Sequence, residues 1–301
     1  MKSLQTIWQL KTDTSVIVDV DTGIDDAMAL ILLRRWLGDR IIGLTTTGGN
    51  VEIGKVIHNT LGLTEYLKWD VPVYAGAEKP LRQEQFTHAP EFHGQNGLAE
   101  RDLPTTKVVS SMSASDAIIA ALEKGPLIVI ALGPAVNIAQ ALIARPELSS
   151  SLTVVMMGGA LAVPGNHDQY SEFNFYQDPD SVKTIWESCD RVAVIPLDVT
   201  HQCLLTLAEV AAWPATSETD LMKDLITRWY EFFGTPRGRT FELYDPLAAS
   251  ALTQSYLSFD VKRLEISCTT ANRGQVLATE TGRSIMWANQ VDSKSFKREL
   301  F

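Results

Sequence analysis

The sequence predicts an α/β protein: a single domain over residues 1–301, with a mainly parallel central sheet and helices on both faces. Two observations carry this. Short apolar, β-branched runs alternate with helical patterns for most of the length, and strands separated by helices need crossover connections. No Pro/Ser-rich linker or low-complexity tract divides the chain.

The elements follow in order. "SVIVDVD" reads as a buried strand and "DDAMALILLRRWL" as a helix packed against it. "RIIGLTTTGGN" is a second strand that ends in a Gly-rich turn, followed by the helical "VEIGKVIHNTLGLTEYLKW". "VPVYAGA" is a third strand. "ASDAIIAALEKG", "LIVIALGP" and "AVNIAQALIARP" read as helix, strand, helix, and "SLTVVMMGGA" and "RVAVIPLD" as two more strands. Segments 81–105 and 161–181 have no clear period and are long for connections, and such loops are often functional. In open α/β sheets ligands bind beyond the carboxyl ends of the strands. Asp19, Asp21, Asn50 and the stretch after Leu132 fall at such ends and should converge on one rim.

Bulk properties narrow the function. A net charge of −10 argues against a nucleic-acid partner, whose footprint is a basic patch. No run approaches the roughly 20 apolar residues of a membrane span, and the broken N-terminal stretch is not a signal peptide. Cys189, Cys203 and Cys268 are too scattered for a disulfide framework or zinc site. The expectation is a soluble cytoplasmic protein.

The chemistry concentrates in "VIVDVDTGIDDAMAL". Asp19, Asp21, Asp25 and Asp26 fall within eight positions where strand turns into helix. A helix cap explains one aspartate, not four. An EF-hand loop fails, because its glycine comes one place early and Leu30 occupies the twelfth position. A haloacid-dehalogenase-type phosphatase also starts from D-x-D, but needs a threonine where this chain has Gly23 and leaves the Asp-Asp pair unused. A hard divalent cation such as Ca²⁺, held by carboxylates and carbonyls, fits best.

The D-x-D-x-x-x-D-D signature resembles that of the nucleoside hydrolases, calcium-containing ribonucleoside N-glycosidases. Other stretches are similar to that family too: "TTTGGN" with Asn50, "HGQNGL" from His93, "ALGPAVNIAQAL", "MMGGALAVPGNHDQYSEFNF" and "LYDPLAA". The resemblance runs from about residue 16 to 250, with a weaker echo in "RGQV" from Arg273. It implies Ca²⁺ held by Asp21, Asp26, Asp245 and the Leu132 carbonyl, with Asp21 also the general base. It implies a ribose wall of Asp25, Asn50, Met157, Asn166, Glu172, Asn174 and Asp245. It also implies a ribonucleoside substrate and a homodimer or homotetramer.

One departure stands out. Tyr244 occupies the place of a histidine that protonates the leaving base in most characterised members. With a reference pKa of about 10, tyrosine is a poor proton source at neutral pH. That leaves His93 as the candidate acid beside Tyr244, while His58, His88, His167 and His201 carry no assigned role. A calcium-dependent ribose-binding protein with little turnover is the alternative. In "LITRWYEFFGTPRGRTFELY" the aromatics Trp229, Tyr230, Phe232 and Phe233 read as the apolar face of a helix rather than a base-stacking surface.

Overall fold

The computed structural model describes residues 1–301. Nine strands form one sheet: β1 (Ser15–Val20), β2 (Ile41–Thr46), β3 (Val73–Tyr74), β4 (Leu127–Ala131), β5 (Leu152–Met157), β6 (Arg191–Ile195), and, beyond a two-stranded ribbon, β9 (Leu257–Ile266), β10 (Val276–Ala278) and β11 (Arg283–Val291). The ribbon is β7 (Leu204–Leu205) with β8 (Phe241–Glu242). Across the sheet the order is β10-β9-β11-β6-β5-β4-β1-β2-β3. From β3 to β11 every pairing is parallel; β9 joins β11 and β10 antiparallel. The predicted fold class is observed.

Alternation within strands divides the core between two faces. Val16, Val18 and Val20 of β1, with Ile128 and Ile130 of β4, pack against the helix Ile24–Leu37 and its neighbours Ser217–Trp229 and Tyr244–Ser250. Ile17, Val129 and Val154 face the other way, onto Ala114–Leu122, Val136–Ala144 and Pro179–Ser188. The helix Ile24–Leu37 is enclosed on all sides: every residue from Ile24 to Leu33 is buried. This explains why "AMALILL" shows no polar stripe.

β1 is the topological switch point. Chain order runs outward from it through β2 and β3 on one side and restarts at β4 on the other. The crevice beyond the carboxyl ends of β1 and β4 is therefore left open for a ligand. The turn Asp21–Gly23 and the residues after Ala131 border it.

The sequence reading needs two corrections. "VPVYAGA" pairs as a strand only over Val73–Tyr74. The C-terminal strands β9 to β11 were not anticipated; Asp260, Lys262, Arg263 and Glu265 interrupt the apolar run because much of β9 faces solvent. The two long segments remain largely irregular, apart from Pro90–His93, Phe173–Gln177 and the start of Pro179–Ser188.

Candidate active site

Asp19 leaves the site at once. Its Oδ1 accepts from Thr45 Oγ1 (2.6 Å) and Asn137 Nδ2 (2.7 Å), and Asn137 also takes the Ala77 N–H on its Oδ1. It ties β1, β2 and the turn before the first long loop together beneath the rim. Asp21, one step beyond β1, reaches the cleft. Its Oδ2 accepts the Asn50 N–H at 2.8 Å. Gly49 and Gly133 make room for it: a Cβ on either would lie 2.1 Å from Asp21 Oδ2 or 2.7 Å from Oδ1. The glycines of "TTTGGN" and "ALGP" thus serve the same carboxylate from both neighbouring strands.

Asp26 turns back to accept the Gly23 N–H (2.8 Å) and the Asn50 side chain (3.3 Å). Asp245 enters from the first turn of Tyr244–Ser250. Carboxylate oxygens of Asp25, Asp26 and Asp245 lie within 4.8 Å of one another. Burial raises the pKa of Asp21, Asp25, Asp26 and Asp245, and the charge of neighbouring aspartates adds to this for Asp21, Asp26 and Asp245. Asp25 Oδ1 and Asp26 Oδ1 are buried without a hydrogen-bond partner. No lysine or arginine lines the cleft. Clustered buried carboxylates with orphaned oxygens and no protein counter-ion fit a hard cation, for which an all-oxygen donor set is suited.

The ribose-wall candidates come from loop 161–181. Glu172 caps the helix Phe173–Gln177, accepting from Asn174 N (2.9 Å), Phe175 N (3.0 Å) and Gly159 N (3.0 Å). Asn174 Nδ2 donates to the Leu132 carbonyl at 2.6 Å, which holds that carbonyl at the cleft. Asn166 Oδ1 accepts the Phe173 N–H at 2.8 Å. Opposite stands His93, at the end of Pro90–His93. Its Nδ1 is 3.4 Å from the Ile24 N–H and 3.9 Å from Asp25 Oδ1. Burial pushes its pKa down to about 4, so the ring is neutral at pH 7. Burial, with the charge of the neighbouring Glu242, raises the Tyr244 hydroxyl well above its ordinary value.

One cleft, partly open to solvent, gathers these groups. Asp21, Asp25, Asn50, His93, Leu132, Met157, Asn166, Glu172, Asn174, Tyr244 and Asp245 all line it. Asp26 lies just beneath, fully buried. Sequence reasoning missed Thr87, His88, Phe92 and His167, which also line the cleft. The only signal for them was the length of the two loops that carry them. A second cavity adjoins the first and is lined by His201, Trp229, Arg239 and Glu242 among others. Trp229 and Tyr230 are core residues, as expected, whereas Phe232 is half exposed.

The profile of the family described as inosine-uridine preferring nucleoside hydrolase matches residues 16–298. The chain is 30% identical over 263 residues to the pyrimidine-specific ribonucleoside hydrolase RihA of Salmonella typhimurium, covering 82% of each protein. A purine-preferring ribonucleoside hydrolase from Gardnerella vaginalis superposes with a TM-score of 0.88 at 30% identity, over 95% of this chain and 96% of that one. A plant nucleoside hydrolase shares the fold at a TM-score of 0.89 and 24% identity, over 96% and 98%. The family match spans the strand-end carboxylates and the loop 161–181 alike, and the phosphatase alternative loses its support: the chain belongs to the inosine-uridine preferring nucleoside hydrolase family.

Proposed function

We propose that this ribonucleoside hydrolase cleaves the N-glycosidic bond of its substrate with a water activated at the aspartate cluster, releasing ribose and free base. The observation that carries this is the set of buried carboxylates with orphaned oxygens at the switch point. Asp21, Asp26, Asp245 and the Leu132 carbonyl would hold Ca²⁺. When bound, that ion supplies a fixed positive charge that orients a water and makes it more acidic.

The remaining work falls to side chains. Asp21 accepts the proton of the attacking water, its carboxylate aimed by the Asn50 N–H. Asp25, Asn50, Asn166, Glu172, Asn174 and Asp245 offer acceptors and amides to the ribose hydroxyls, with Met157 lining the wall between them. Binding energy from those hydroxyls can then favour the distorted, oxocarbenium-like sugar. His93, neutral at pH 7, is placed to donate a hydrogen bond rather than a full proton. We read residues 1–301 as one catalytic domain that works in the cytoplasm as a homodimer or homotetramer. No helix of the protein is long and apolar enough to cross a membrane, and all three cysteines are free.

Tyr244 favours a second reading, a calcium-dependent ribose-binding protein with little turnover, because a phenol is a poor proton source at neutral pH. Ribose release from inosine, adenosine, guanosine, uridine and cytidine, with and without chelator and added Ca²⁺, separates the two. Calcium-dependent release from any of them is the expected result. Calcium-dependent ribose binding without release would establish the binding protein instead.

A further inference from the structure

The second cavity meets the first across Asp25, Phe92, His93, Asn166 and Tyr244, which line both. On the proposed ribose wall, a ribose gripped by Asp25 and Asn166 would present its base to that shared boundary. The leaving base needs a proton there, and the two obvious donors are compromised. The Nδ1 of His93 faces the Ile24 N–H. Tyr244 is a phenol, with a reference pKa of about 10, and a poor proton source at neutral pH.

His201 is differently placed. It follows the short helix Leu197–Thr200 beyond β6, and its ring lines the second cavity together with Tyr244 and Asp25. Its Nδ1 is 2.6 Å from Glu242 Oε2 on β8. Holding Nδ1–H against a carboxylate fixes the ring and leaves Nε2, which has no protein partner, to carry a second proton. Glu242 and Tyr244 line the same cavity, so the carboxylate that orients the imidazole places it next to the phenol.

We propose that His201, oriented by Glu242, is the proton donor to the departing base, in the role that Tyr244 cannot fill. The inference rests on the nucleoside-hydrolase reading above. As the C1′–N bond breaks, its electron pair stays with the base. The Nε2 proton of the imidazolium moves to a ring nitrogen or carbonyl oxygen of that base, leaving neutral imidazole. Water supplies OH to C1′ and its other proton to Asp21. Solvent then reprotonates His201 and deprotonates Asp21, so the net change is nucleoside plus water to ribose plus base.

The surrounding charges suit the role. The hydrogen bond and charge of Glu242, with Asp198 on the preceding helix, raise His201 above its ordinary value against the opposing effect of burial. Arg239, over the Phe92 ring, is the cation on the same cavity, and Asp25, His93 and Tyr244 line it too.

The test uses calcium-loaded full-length enzyme on uridine, inosine and p-nitrophenyl β-D-riboside, whose phenolate leaves without a proton. His201→Gln should lower kcat on the nucleosides about 10²-fold or more and change the p-nitrophenyl riboside rate little. Glu242→Gln should move the alkaline limb of nucleoside kcat to lower pH. Equal loss on both substrate types means a structural role for His201 and overturns the proposal, as does no loss on either. A wild type that cleaves only the p-nitrophenyl riboside overturns His201 as a working acid but leaves the glycosidase reading intact. A wild type that cleaves neither overturns that reading itself.

Discussion

Gly49 and Glu172 show how single residues govern this cleft. A Cβ on Gly49 has nowhere to go except into the Asp21 side chain, since its nearest three neighbours all belong to that residue. Gly49→Ala should therefore displace Asp21, the proposed general base, while sparing the core. We expect kcat to fall about 10²-fold, as misplacement by about 1 Å can cost, with melting temperature nearly unchanged; unaltered kinetics would remove Asp21 from its assigned role. Glu172 is 1% exposed, and burial raises its pKa from 4.5 to about 7 despite three backbone N–H bonds. Between those values the folded state holds a proton that the unfolded chain has lost. The contribution of this group is therefore present below about pH 4.5 and lost as pH rises through about 7. Relative to Glu172→Gln, wild type should lose about 3 kcal/mol across that window, measured by denaturant unfolding at several pH values. A pH-independent difference between the two proteins would contradict it.

At the scale of elements, the five-residue helix Phe173–Gln177 carries Asn174 and is secured at both ends. Glu172 satisfies its first N–H groups. Arg273, almost a hundred residues later in the chain, closes the other end, with Nε donating to the Tyr176 carbonyl (2.6 Å) and Nη2 to that of Gln177 (2.7 Å). Such a short helix is not stable by itself. Arg273→Ala leaves both carbonyls without their donor and should cost about 1–3 kcal/mol. It should also lower kcat/KM for nucleosides, because Asn174 holds the Leu132 carbonyl and belongs to the proposed ribose wall. Denaturant titration beside steady-state kinetics checks this, and a stability loss with intact kcat/KM would confine Arg273 to folding. The "RGQV" echo marked the position in sequence, but nothing there disclosed its target, since the clamp is made of backbone carbonyls that no side-chain pattern records. Asp19 teaches the converse. It sits in the same signature as Asp21, and only the partners Thr45 and Asn137 assign it to the frame rather than the cleft.

For the whole molecule, β11 completes the sheet by pairing in parallel with β6, and Ile285 and Trp287 fill the core beneath it. Deleting residues 257–301 would bare the edge of β6 and that apolar face, so the truncated chain should be insoluble. A soluble fragment with a cooperative melt would show that the sheet closes without its C-terminal strands. The α/β class, the parallel inner strands and the carboxylates at their ends were readable directly, because burial on both faces writes continuous β-branched runs and ligand groups sit where strands stop. The site residues came with the motifs, each a local stretch. What only the tertiary structure decided was everything that depends on distance across the fold: the strand order that makes β1 the switch point, the solvent-facing strands β9 and β10, the crowding of Gly49 and Gly133 on one carboxylate, and the pairing of His201 with Glu242. These contacts join segments tens of residues apart through geometry that packing imposes, and a linear pattern of residue types carries no record of which distant groups packing will bring together.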